Sequence, residues 1–218
     1  MNSRKAFAEF VGALLLTACV VGSGIMAERL AGGNAAIALL ANTLATVFVL
    51  AALITSFGPI SGAHFNPVVS AVAFFNRQID GRTAILYLIA QVCGCCAGAV
   101  LANAMFELPL VQVSSHARSG PAQWLSELVA TAGLIFIAFR STTINEAASR
   151  VALWIGAAYW FTASTSFANP AITIGRSLSD TFAGIRPIDV PGFIGAQVVG
   201  ALLGALLLQV FAERKVSP

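Results

Sequence analysis

Two Asn-Pro pairs carry the most specific chemistry in this sequence. Asn66-Pro67 and Asn169-Pro170 each follow a short polar stretch (56–65 and 166–168) and precede about two turns of mostly apolar sequence. Asn caps helix N-termini by accepting backbone N–H groups, and Pro suits the first helical position. Each pair therefore predicts an extended loop entering a helix too short to cross a bilayer. If the two tips meet, Asn66 faces Asn169. The amides then supply donors, the loop carbonyls supply a ladder of acceptors, and each helix N-terminus adds roughly half a positive charge. A neutral hydrogen-bonding solute can pass such a centre, whereas a cation or proton meets an electrostatic barrier.

Two carboxylates, Glu9 and Glu127, lie inside long apolar runs. A carboxylate at membrane depth is costly unless partnered, so each is expected to accept hydrogen bonds from the backbone of a re-entrant loop. A proton relay is the alternative. His64, two residues before Asn66, is expected to hydrogen-bond within its own loop. Cys19, Cys93, Cys95 and Cys96 all lie in apolar runs and read as small packing residues; ligation of a metal or of arsenic by the cluster is the sharper alternative. No nucleophile–base pair, metal-ligand spacing or phosphate loop appears, and the other histidine, His116, is in a loop. The expectation is a protein that is not an enzyme and has no cofactor, no metal and no nucleic-acid partner.

The elements around these residues must be membrane spans. Residues AVILMFWYC make up 58% of 218, charged residues only 10%, and mean hydropathy is +0.85; a soluble domain has about 25% charged residues. At about 20 residues per span, the chain fits six spans, at approximately 6–27, 35–57, 83–106, 122–139, 151–168 and 190–211. Small residues such as Gly12, Gly22, Gly94, Gly98, Gly200 and Gly204 crowd them, which permits close backbone approach where lipid removes the hydrophobic drive. With a cytoplasmic N-terminus, Arg4, Lys5, Arg77, Arg82, Arg140, Arg150, Arg214 and Lys215 fall inside and Arg29, Arg118, Arg176 and Arg186 outside. That asymmetry favours cytoplasmic termini. The first apolar run is too long for a cleavable signal, and the short tails suggest a bacterial inner membrane.

The chain also looks duplicated. The Asn-Pro pairs are 103 residues apart, Glu9 matches Glu127, and Gln91 matches Gln197, 106 residues on. Three landmarks in one order argue for two three-helix repeats, 6–106 and 122–211, within a single domain 1–218. An odd number of spans in each makes them inverted.

Ser61-Gly62-Ala63-His64-Phe65-Asn66-Pro67-Val68, Asn169-Pro170-Ala171 and the Glu/Gln landmarks resemble the aquaporin and aquaglyceroporin family along almost the entire chain. The resemblance implies an all-α membrane fold of six spans plus two re-entrant half-helices, a pore in each subunit, and a homotetramer. It places Asn66, Pro67, Val68, Asn169, Pro170 and Ala171 at the pore centre, and Glu9, Glu127, Gln91, Gln197 and His64 in support of the loops. Val68 stands where the family usually has Ala. Ile172 stands where it usually has the Arg of a narrow filter. Family spacing puts the remaining filter positions at Thr46, Ala157 and Ser166. Arg176 is expected in the outer vestibule, one turn beyond Ile172, with its charge cancelled by Asp180.

Thr46, Ala157, Ser166 and Ile172 predict a wide filter with neither cation nor ring. The expected function is a passive channel for small uncharged solutes, with glycerol and water. The stretch 169–187 resembles a bacterial branch associated with arsenic resistance, which adds arsenite and methylated trivalent arsenicals. The alternatives are a water-selective channel and, from another class, a proton-coupled secondary transporter.

Overall fold

Helix boundaries follow side chains that satisfy backbone groups left free at helix ends. The computed structural model describes residues 2–212 and contains helices and no strand among them. In chain order these are α1 (Asn2–Leu30), α2 (Ala35–Ser61), α3 (Pro67–Phe75), α4 (Gly81–Met105), α5 (Pro121–Arg140), α6 (Ile144–Phe161), α7 (Pro170–Arg176) and α8 (Val190–Val210), with one 3-10 turn at Pro187–Asp189. Arg214 and Lys215, counted above for orientation, lie outside the described residues. Asn34 caps α2 by accepting from Ala36 and Ile37, and α2 ends at Gly62 in the left-handed conformation, φ 91°. Asp80 caps α4 through Thr83, and Thr143 caps α6 through Glu146.

Five helices are long and apolar enough to cross a membrane, and α6 is the sixth long helix. The expected fifth span, 151–168, is corrected by seven residues at each end. Its polar first turns, with Asn145, Glu146 and Arg150, escape a search for apolarity but are fixed by the Thr143 cap. Residues 162–168 belong to the loop entering α7.

Two helix pairs pack by nearly the same device. A Cβ at Gly98 in α4 would lie 2.3 Å from the Leu14 carbonyl oxygen of α1, and one at Gly200 in α8 would lie 2.4 Å from that of Leu128 in α5. Gly94 and Gly204 make equivalent approaches. Gly94 and Gly98 follow Gln91 by three and seven residues, as Gly200 and Gly204 follow Gln197. Because backbone cannot step aside as a side chain can, Gly98→Ala and Gly200→Ala are each expected to lower stability by about 1–3 kcal/mol. Thermal unfolding in detergent measures this. Gly195→Ala, whose Cβ would meet nothing within 4 Å, is the matched control and should leave the midpoint unchanged.

Candidate functional site

The short helices α3 and α7 abut at their N-termini. Asn66 Oδ1 accepts from Val68 N (3.1 Å), and Asn169 Oδ1 accepts from Ala171 N (3.0 Å) and Ile172 N (3.3 Å). The amide nitrogens cross between loops: Asn66 Nδ2 donates to Ala168 O (2.7 Å) and Asn169 Nδ2 to Phe65 O (2.8 Å). Pro67 and Pro170 occupy the first helical turns, where a missing N–H costs nothing. Val68 is buried against Ile135 and Ala201, while its neighbour Val69 faces the cavity described below.

Both loops hold the same unusual backbone. The residues three and one before each Asn are left-handed: Ala63 (φ 51°) and Phe65 (49°), then Ser166 (52°) and Ala168 (48°). Each such non-glycine residue costs about 1–3 kcal/mol and persists only where its surroundings hold it. The carboxylates hold these. Glu9 accepts from Ser61 Oγ (2.6 Å), His64 N (3.0 Å), Phe65 N (2.6 Å) and Gln91 Nε2 (2.8 Å). Glu127 accepts from Phe167 N (2.9 Å), Ala168 N (2.8 Å) and Gln197 Nε2 (2.6 Å). Gln91 also donates to Ser70 Oγ and Gln197 to Thr173 Oγ1, both at 2.9 Å. His64 Nδ1 lies 3.0 Å from Ser70 Oγ. Ser70 and Thr173 were not singled out from sequence, although each sits four residues after an Asn-Pro asparagine.

A cavity of about 320 Å³ runs past this centre. Each long helix lining it contributes a stripe with a four-residue step: Leu16 and Val20 of α1, Thr46, Leu50 and Ile54 of α2, Leu134 and Ala138 of α5, and Ala147, Val151, Ile155 and Tyr159 of α6. Both loops line it, including His64, Asn66, Ser166 and Asn169. Gln78 and Ser141 lie at one end, Ile172 and Arg176 at the other.

Three expectations about this wall are corrected. Ala157 is exposed on the far side of α6, because two residues past Ile155 is a rotation of about 200°. The lining residue is Tyr159, ten rather than twelve residues before Asn169, so the wall does contain a ring. Its hydroxyl lies 3.2 Å from Thr46 Oγ1, which donates to Asn42 O at 2.8 Å. The i+4 pattern 147–151–155–159 was the available sequence signal.

Second, the wall contains a cation: Arg176 is buried, 2% exposed, and lines the cavity. Third, Asp180 does not pair with it. Asp180 accepts from Ser115 N (2.8 Å) and Ser115 Oγ (2.9 Å), and these bonds hold its carboxyl below the usual range. Arg176 instead donates from Nε to Ala183 O and lays its guanidinium 3.4 Å from the centre of the Phe167 ring. Thr46, Ser166 and Ile172 remain at the cavity. Cys95 is buried under Gly175, Cys96 is half-buried and Cys93 is exposed.

Residues 1–163 match the model of the major intrinsic protein family. The chain is 49% identical over 209 residues to the aquaglyceroporin AqpS of Rhizobium meliloti (strain 1021), covering 95% of this chain and 89% of that one. It is 28% identical over 237 residues to the aquaporin AqpM of Methanothermobacter marburgensis, covering 95% and 96%. The X-ray structure of the aquaglyceroporin from Plasmodium falciparum superposes with a TM-score of 0.75 over 97% of both chains at 20% identity, and so has the same fold. These similarities make the protein an integral membrane channel, passive toward small solutes and water, and not an enzyme. By the extent of the match and of these identities, the chain belongs to the major intrinsic protein family.

Proposed function

We propose that the channel passes small uncharged polyhydroxy solutes, namely glycerol, arsenite and methylated trivalent arsenicals, together with water. The observation that carries this reading is Ile172 on the cavity wall, where the family resemblance puts an arginine. A branched aliphatic side chain there leaves room for a solute bulkier than water. The 49% identity to a relative called an aquaglyceroporin supports the same class. In this reading Asn66 and Asn169 provide the central donors and the loop carbonyls the acceptors. Pro67, Val68, Pro170 and Ala171 shape the half-helices, and Glu9, Glu127, Gln91, Gln197 and His64 keep the loops in place. Repeats 6–106 and 122–211 are inverted, the subunits form a homotetramer in a bacterial inner membrane, and the Arg176 end faces outward.

Tyr159 and Arg176 favour a second reading, a water-selective pore, since a ring and a cation both narrow the passage. A proton-coupled transporter lacks support. Glu9 and Glu127 already accept four and three hydrogen bonds from the protein, and among the described residues no carboxylate lines the cavity.

Stopped-flow light scattering of proteoliposomes decides between the first two. Gradients of glycerol and of arsenite are expected to give fast shrinkage followed by re-swelling. Rapid water flow with neither solute entering would leave only the water-selective reading.

A further inference from the structure

Arg176 and Ser166 both line the cavity and carry side-chain polar atoms without a protein partner. Arg176 is 2% exposed, and among the described residues only its Nε has a hydrogen-bond partner, Ala183 O. No carboxylate among those residues lies within ion-pair distance of it. Its two terminal NH2 groups have no protein acceptor and are not among the fully buried polar atoms, so they are open to the cavity that Arg176 lines. Ser166 Oγ is also buried without a partner, while its backbone N donates to Ser164 Oγ at 3.2 Å. Both residues line the same end of the cavity as Tyr159, Thr46 and Ile172.

The guanidinium is fixed in this position. Phe167 lies under it, and Arg118 lies on the same ring at 5.1 Å. Arg118 is itself held by Gly184 O (2.7 Å) and Phe182 O (3.1 Å). Phe193 packs edge-on against Phe167 at 5.1 Å. A cation over an aromatic face is stabilised without losing its charge, so Arg176 keeps its donors free for a passing solute.

We propose that the selective constriction of this pore is formed by Arg176, Ser166 and Tyr159, with the cation barrier supplied from one helical turn beyond Ile172. A neutral polyhydroxy solute offers one oxygen to the Arg176 NH2 donors and one hydroxyl to Ser166 Oγ. The apolar Ile172 side chain faces its carbon or metalloid skeleton. The charge that repels cations and the side chain that would fill the pore are thus separated onto different turns of α7. This rests on the channel reading given above and adds the residues that select the solute.

The test uses the full chain in proteoliposomes, reading water flow, glycerol flow and proton leak. Arg176→Gln keeps a donor for Ala183 O and removes the charge. It should raise proton leak by about tenfold or more while water still flows, and Arg176→Lys should restore the barrier. A folded Arg176→Gln channel with no added leak overturns the proposal. Ser166→Ala removes only a hydroxyl without a partner, so assembly is not at stake. It should lower glycerol flow severalfold relative to water, and an unchanged ratio overturns the solute contact; if Arg176→Gln does not fold, this ratio alone decides. Failure of the wild-type channel to pass glycerol overturns the function reading itself and is recorded before any variant is compared.

Discussion

Replacing Glu127 by Ala is expected to abolish the folded channel. Its carboxylate takes the N–H groups of Phe167 and Ala168 and the Nε2 of Gln197, and both loop residues are buried. Each orphaned buried donor costs about 1–3 kcal/mol. Three of them, with the left-handed backbone at Ser166 and Ala168 no longer held, reach the whole stability of an ordinary domain, about 5–15 kcal/mol. Glu127→Gln is expected to fall between Ala and wild type, because its amide keeps one acceptor oxygen but turns an NH2 toward the remaining donors. Yield of monodisperse protein in detergent, thermal midpoint and water flow per reconstituted protein measure the series. Wild-type stability in Glu127→Ala would show that the loop is held by something else. Glu9→Ala should match it or exceed it, since Glu9 accepts four donors.

Ile172→Arg is expected to lower glycerol and arsenite flow by about tenfold or more while water flow stays within a few-fold of wild type. Ile172 lines the cavity on the same end as Thr46 and Tyr159. An arginine there adds length to the cavity wall and sets a second guanidinium one turn, about 6 Å, from Arg176. Water needs less width than a triol and continues to pass. Adding Thr46→Phe closes the opposite wall and removes the 3.2 Å contact to Tyr159, so the double variant should reduce solute flow further. Equal losses of water and solute, or no loss, would show that position 172 is not at the constriction.

The two asparagines were legible because a short run after Asn-Pro cannot span a bilayer and must start inside it. The two glutamates were legible because an unpaired carboxylate in an apolar run is too costly to be incidental, and the glutamines because they recur at matched distances. Phe167 shows where the reading ends: it sits two residues before Asn169, whereas Phe65 sits one before Asn66. Phe65 packs into the space that Gly12 leaves open, and Phe167 becomes the platform under Arg176.

Composition, the Asn-Pro caps and the buried carboxylates by themselves determined a helical membrane protein with two half-helices meeting at Asn66 and Asn169. Only the tertiary structure decided the wall at the Arg176 end. Each residue turns a helix by about 100°, so an uncertainty of two residues in the loop before Asn169 exchanged exposed Ala157 for cavity-lining Tyr159. Arg176 is long enough to reach either Asp180 or the Phe167 ring. Ser115 holds the carboxylate by a contact across 65 residues of chain, and the guanidinium lies over Phe167 on the cavity wall.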